Sequence, residues 1–258
     1  MVDVIRFDTD DLPRSDRWPC WYEFGVSQHV PIDIRTVHQN DFRGTISLFR
    51  LDPVQVSTLA YSPLEVIRTA KLIRQSDPGM VHFVLRLRGE VRISQQGRQA
   101  RLGDREMVLY DLSRPLGSWA TARSGDLVRA VVQAPRTLVP LSPTVLDHLV
   151  AVPLSGQRGP GALLARHLVG LTREAETYSL NDAARLSAVT LDLLAATGAH
   201  AIERADTLSF ETRQNALQVR IHQFIARRLG DPDLPRPASP RPTQSRPATC
   251  TDSSSNRV

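Results

Sequence analysis

Hydrophobic and polar positions change their period along the chain, and the changes divide it into segments of different kinds. From about residue 31 to about 133, short β-rich runs recur between turn signals: PIDIRTV, GTISLFRL, VQVSTLAY, LEVIRTA, VHFVLRLRG, EVRIS, QARL, EMVLYD and LVRAVVQA. In VHFVLRL, Val81, Phe83, Leu85 and Leu87 alternate with His82, Val84 and Arg86. That two-residue period predicts a strand with one buried face. Gln96-Gly97 and Gly103-Asp104 stand where tight turns are needed. Many short strands at this spacing predict an antiparallel sandwich or barrel.

Ahead of the strands, residues 12–29 predict a short amphipathic helix on which Trp18, Trp21, Tyr22 and Phe24 form one apolar surface. Pro13 suits a first helical turn, whereas Pro19 predicts a start delayed to Ser15–Arg17, or a kink. From about residue 140 to 229 the period becomes helical. One stripe carries Leu163, Leu164, His167, Leu168 and Leu171. A second carries Leu186, Val189, Leu193 and Leu194, with Asn181 or Asp182 as its cap. A third carries Leu217, Ile221, Phe224, Ile225 and Leu229, and Gly230 and Pro232 mark its end. The fold class read from this order is α+β, strands first and helices after. Residues 235–258, PRPASPRPTQSRPATCTDSSSNRV, lack Leu, Ile and Phe and are expected to be disordered.

Composition narrows the picture. The 258 residues are 41% apolar and 23% charged, as in ordinary globular chains. Cys20 and Cys250 lie far apart, one among aromatics and one in the tail, which argues against a structural disulfide. The opening MVDVIRFDTDDLP has no apolar leader core, and no apolar run reaches the length of a membrane span, so a cytoplasmic protein is expected. The formal net charge is +5 and the pI 9.8. Residues 235–258 contribute +3 of that through Arg236, Arg241, Arg246 and Arg257 against Asp252, leaving +2 for the rest. A near-neutral body is a weak footprint for binding phosphates.

Candidate chemistry is sparse. The histidines are His29, His38, His82, His148, His167, His200 and His222, with no H-x-H pair, and only His82 falls well inside a strand. A metal oxygenase or isomerase needs several imidazoles and a carboxylate converging on one ion, so no metal or other cofactor is expected. There is no G-x-S-x-G elbow. GQRGPG, with Gly156, Gly159 and Gly161, does not sit between a strand and a helix as a phosphate loop requires and is read as a linker. Asp8, Asp10 and Asp11, and the arginines Arg86, Arg88 and Arg92, are read as solvated groups.

Three segments together resemble the AraC-type transcription regulators. FDTDDLPRSDRWPCWYEFGVSQHVPIDI is similar to the opening of many of them. SDPGMVHFVLRLRGEVRISQQGRQARLGDREMVLYDLSRP is similar to their mid-barrel segment, through Gly89, Gln96-Gly97, Gly103-Asp104 and Tyr110-Asp111…Arg114-Pro115. LSGQRGPGALLARHLVGL is similar to the start of their helical region, and the likeness spans roughly residues 5–234. The resemblance implies a short helix and a cupin-like effector-binding barrel over 1–139 and a helical dimerisation region over 140–206. It further implies, over 207–234, a remnant first helix of a helix-turn-helix DNA-binding domain, followed by the tail 235–258. RIHQFIARRLGDPDL resembles that first helix, but a proline-rich run follows it, so the remaining helices are expected to be missing through a frameshift or truncation and specific DNA binding lost. Residues 248–254 can be encoded by a string that, read one base along, spells a segment resembling the family's first recognition helix.

The function implied is that of a sensor and dimerisation part rather than an enzyme. It would bind a small effector or a protein partner and pair with itself or with an intact homologue. The alternative is a cupin-type metal-dependent enzyme of small-molecule metabolism. Phe83, Leu85, Tyr110 and Trp119 are the candidate wall residues of the effector pocket, and His82 and Arg68 its candidate polar groups. Leu164, Leu168, Leu171, Leu186, Val189 and Leu193 are the candidate dimer contacts.

Overall fold

The structure, a computed structural model, describes residues 3–28, 30–121 and 127–229 and, within these, every side chain except those of residues 27, 28, 206 and 208–229. The strands in chain order are β1 (Val4–Asp8), β2 (Asp33–Arg35), β3 (Gly44–Arg50), β4 (Gln55–Tyr61), β5 (Leu64–Arg68), β6 (Met80–Arg88), β7 (Glu90–Gln95), β8 (Arg98–Arg101), β9 (Glu106–Asp111), β10 (Leu116–Thr121), β11 (Leu127–Pro135) and β12 (Pro153–Ser155). They pair antiparallel in a seven-stranded sheet, β1-β3-β4-β11-β6-β9-β12, and a five-stranded sheet, β2-β5-β10-β7-β8. The helices are α1 (Arg14–Gln28), α2 (Ala70–Gln75), α3 (Pro143–Leu149), α4 (Gly159–Arg173) and α5 (Leu180–Leu229).

The chain divides into two units, Met1–Thr207 and Leu208–Val258. The first holds both sheets, α1 to α4 and the opening part of α5. In the second, the described residues belong to α5. The tail 235–258, Cys250, and the side chains of Leu217, Ile221, Phe224, Ile225, Leu229 and His222 lie outside what is described.

Local chemistry explains most element boundaries. Gln96 and Gly97 both take positive φ, 54° and 72°, the type I′ geometry that joins β7 to β8 in a two-residue hairpin. The helix of residues 12–29 begins earlier than expected, at Arg14, and runs through Pro19. Its aromatic face packs on the first strands. Phe7 stacks on Phe24 at 4.8 Å between ring centroids, and Trp21 meets Phe42 at 5.3 Å. The first of these contacts uses β1, a strand absent from the expectation because VIRFD stands alone in an acidic segment.

Strand β6 departs from its expected half-burial. Val81, His82, Phe83, Val84 and Leu85 are all buried. His82 and Val84 point between the two sheets. Phe83 and Leu85 point to the opposite face of the large sheet, where the helical layer covers them. A Cβ on Gly156, just before α4, would lie 3.3 Å from Leu85 Cδ1, and Phe49 of β3 meets Tyr178, just after α4, at 5.9 Å. A sheet packed on both sides removes the polar face that a one-sided alternation requires.

GQRGPG also differs from a plain linker. A Cβ on Gly161 would fall 1.9 Å from the Ser155 carbonyl oxygen, so the first turn of α4 can lie directly on β12 only with glycine there. Leu164, Leu168 and Leu171 then seal α4 onto the molecule with 0 to 2% exposure. Burying three such leucines contributes on the order of 5 kcal/mol or more. The nearby Arg6–Glu176 ion pair, with both side chains more than 60% exposed, adds at most about 1 kcal/mol. Apolar burial therefore decides where α4 sits.

The buried face of α5 is built mostly from small residues, Ala183, Ser187, Thr190 and Thr197, with Leu194 among them. The Thr190 and Thr197 hydroxyls donate to the carbonyls of Leu186 and Leu193, both at 2.7 Å. Because the Thr190 hydrogen is used in that way, its oxygen accepts from His167 Nε2–H of α4 at 2.9 Å. Burial lowers the His167 pKa below the usual histidine value. The folded chain thus prefers neutral His167, and stability falls as pH drops below about 6.5 towards the lowered folded pKa, then levels off. His167→Gln is expected to flatten that part of the stability-against-pH curve, read by urea denaturation between pH 7.5 and 5. An unchanged difference between the two pH values would show that His167 does not titrate with folding.

Candidate functional site

The space between the two sheets holds a cavity of about 50 Å³. Its wall comes from both sheets: Ser57 and Leu59 of β4, His82 of β6, Tyr110 of β9, Arg129 and Val131 of β11, Val66 of β5, and Leu116 and Ser118 of β10. Val30, Ile32 and Leu112 close it from the connecting segments. A second cavity of about 50 Å³ lies towards α1, lined by Trp21, Tyr61, Ile46 and Leu64 among others. The two share Ile32, Leu59, Val66 and Arg129.

One polar group in this space is fully committed. His82 Nε2 lies 2.9 Å from Gln133 Oε1, and its Nδ1 lies 2.9 Å from the Tyr110 hydroxyl. An amide oxygen can only accept, so Nε2 carries the proton, and Nδ1 accepts from Tyr110 O–H. That arrangement selects one tautomer of the neutral ring. Burial pushes the Tyr110 phenol up, which keeps its proton in place.

Two buried arginines stand in contrasting conditions. Arg68, 1% exposed, donates from Nε, Nη1 and Nη2 to the carbonyls of Leu112, Pro31 and Ser76, each at 2.6 Å. It ties the end of β5 to three connecting segments and lies outside the wall of both cavities. Burial lowers its pKa, partly countered by Asp77. Arg129, 9% exposed, faces both cavities. Its Nε is buried with no hydrogen-bond partner, and no carboxylate pairs with it among the described residues. Its guanidinium carbon lies 5.0 Å from the centre of the Tyr61 ring, a cation–π contact. The Tyr61 hydroxyl is likewise buried without a partner, and burial pushes its pKa up to about 12. The β11–β6 register slips between Val128 and Arg129, and such an irregularity re-aims the side chain beside it.

Residues 21–197 match the family described as AraC-binding-like domain. The chain belongs to that family. The chain is similar, at 25% identity over 229 residues, to a Bacillus sp. (strain OxB-1) protein named "Uncharacterized protein in nit 5'region". That similarity covers 88% of this chain and 86% of the relative. The crystal structure of the AraC-like transcriptional activator CuxR superposes with a TM-score of 0.66 at 17% identity, over 76% of this chain and 70% of CuxR. A cupin-like protein from Thermotoga maritima gives a TM-score of 0.28 at 14% identity, over 42% of this chain and 87% of that one.

Of the six residues expected to form the pocket of the AraC-binding-like domain, the structure brings two to the cavity wall, His82 and Tyr110. Phe83 and Leu85 are fully buried on the opposite face of their sheet. Trp119 is 38% exposed on the outer face of the small sheet, because its neighbour Ser118 takes the inward position. Arg68 is saturated by backbone. Among the expected dimer contacts, Leu164, Leu168 and Leu171 are enclosed within this chain and present no surface. Leu186 and Leu193 are half-buried, and Val189 is 45% exposed. The expectation missed Arg129, Tyr61, Ser57 and Ser118. The available signal was Arg129 itself, one charge in the otherwise apolar stretch LVRAVV.

Two further facts bear on chemistry. Among the described residues, no three of His, Cys, Asp and Glu come together in an arrangement able to hold a metal ion. No helix, among the described residues, is long and apolar enough to cross a membrane.

Proposed function

We propose that this chain is the effector-sensing and dimerisation part of an AraC-type transcription regulator, and that it holds a small organic molecule between its two sheets. The observation that carries this reading is the cavity wall itself. It is largely apolar, is reached by a few placed polar groups, and contains buried donors with no partner inside the protein. Small-molecule sites have that composition, whereas a plain core leaves few such groups unsatisfied. The match over residues 21–197 supports the reading independently.

We assign no catalytic step to the cavity. Both ring nitrogens of His82 are bound within the protein, which leaves no free base at the wall. We assign no DNA-reading role to residues 1–207, in keeping with their near-neutral charge. Pairing with a second copy would use Val189 with the half-covered Leu186 and Leu193, since Leu164, Leu168 and Leu171 are enclosed.

A thermal-shift panel on the full chain tests the reading. The probes are benzoate, butyrate, benzamide, L-arabinose and indole, applied to the wild type and to Ser118→Leu, whose added bulk is on the scale of the cavity. At least one probe is expected to raise the wild-type Tm and to leave the filled variant unmoved. A flat panel, or equal shifts in both proteins, overturns the reading.

A further inference from the structure

We infer that the molecule held between the sheets is a small organic monoanion, a carboxylate on a short apolar body, with Arg129 as its charge partner. This rests on the sensor reading above and adds the chemical class of the ligand.

The argument starts from the contrast between the two buried arginines. A guanidinium cannot shed its proton inside a protein, so one taken out of water needs its charge and its N–H groups met. Arg68 meets that need with three carbonyls for its N–H groups and the charge of Asp77 nearby. Arg129 is nearly as enclosed, yet its Nε–H is unbonded, and no carboxylate faces it among the described residues. The Tyr61 ring offers a π face to the cation but no acceptor oriented to Nε. The missing group is therefore a hydrogen-bond acceptor, an anionic one would balance the charge as well, and the place left for it is the cavity space on either side of Arg129.

A neutral ligand such as a sugar fits this lining less well. It would leave the guanidinium charge unbalanced, and the wall offers it few additional polar contacts. His82, Tyr110 and Gln133 are engaged with one another, which leaves the Ser57 and Ser118 hydroxyls and the Tyr61 phenol. Tyr61 holds its proton across the physiological range and so acts as a donor. A carboxylate can accept from Arg129 in the paired geometry that guanidinium favours and from Tyr61 O–H as well. Its body would lie against Leu59, Val66, Leu116 and Val131. Each cavity, at about 50 Å³, has room for roughly four waters. The two together suit an acid of roughly ten non-hydrogen atoms or fewer.

Isothermal titration of the full chain with butyrate, benzoate and phenylacetate, each beside its neutral amide, tests the assignment. The acids are expected to bind at least 30-fold more tightly than the amides, the scale of losing one partner from a buried charge pair. Arg129→Gln is expected to erase that preference, and Arg129→Lys to restore part of it. The acid–amide comparison needs only the wild type, so a folding defect in a variant leaves the test intact. Acids that bind no better than amides, or an Arg129→Gln protein that keeps the preference, overturn the assignment. If arabinose, indole or an amide binds while every acid is silent, the anion assignment fails and the sensor reading stands. If nothing binds, both fail.

Discussion

Arg68→Met is expected to lower the stability of the chain by roughly 4 kcal/mol or more and its Tm by about 10 °C. The residue volumes are close although Met is shorter, so the change removes donors more than volume. Three carbonyls, of Leu112, Pro31 and Ser76, lose their partner at once. A hydrogen bond to a charged group is worth about 1.5–3 kcal/mol, and the three are not additive because they share one guanidinium. Arg68→Lys recovers only part of the loss, since an ammonium on a flexible stem cannot meet three fixed acceptors in a plane. Urea denaturation followed by far-UV circular dichroism measures both variants. A loss below about 1 kcal/mol for Arg68→Met would show that water replaces the guanidinium at those carbonyls.

Asp111→Asn ranks second, with an expected loss of about 3 kcal/mol. The Asp111 side chain is 2% exposed and pairs with Arg136 and, at 3.5 Å, with Arg114. Both arginines reach on to Asp147 of α3, at 2.8 and 3.0 Å. Removing the buried member leaves two guanidinium groups facing each other with one half-exposed carboxylate between them. Asp147→Asn is the control. Its side chain is 40% exposed, so solvent screens the loss and about 1 kcal/mol or less is expected. The hydrogen bond from Arg136 holds the Asp147 carboxyl below the usual range. Its contribution is therefore full above about pH 3.9 and is lost as pH falls through the lowered folded value. Urea denaturation at pH 7 distinguishes the two aspartates, and a series from about pH 4 down to about pH 2.5 reads the loss of the Asp147 contribution. Equal losses at pH 7 would show that burial of Asp111 has no energetic weight.

The sequence made the architecture legible because period is a property of residues along one strand or one helix. Alternation in EMVLYD and LVRAVVQA locates β9 and β11 without reference to anything else, and Gln96-Gly97 marks a hairpin by backbone conformation alone. What alternation does not carry is its own sign. In LGSWAT it says that Ser118 and Trp119 face opposite ways, and hydrophobicity then suggests that the tryptophan is inside. The fold places Ser118 inside, where a hydroxyl lines the cavity. In β6, burial on both faces hides the distinction altogether, and hydrophobicity points to Phe83 and Leu85 as cavity wall although His82 holds that side. The helical region fails for a related reason. Large aliphatic residues mark a buried stripe when helices pack at ordinary distance. On α5, Ser187, Thr190 and Thr197 are buried because small side chains permit a closer approach. Arg129 was legible only as an oddity, and its meaning depended on the absence of a carboxylate nearby, which is a fact of three dimensions.

Strand β11 separates two kinds of evolutionary freedom on one ribbon. Arg129 and Val131 line the interior and Gln133 holds His82 there, while Ala130, Val132 and Ala134, all fully buried, lie on the other face of the sheet. On the proposed function, a single substitution at 129 or 131 would change what the cavity accepts while leaving the packed face of the same strand untouched.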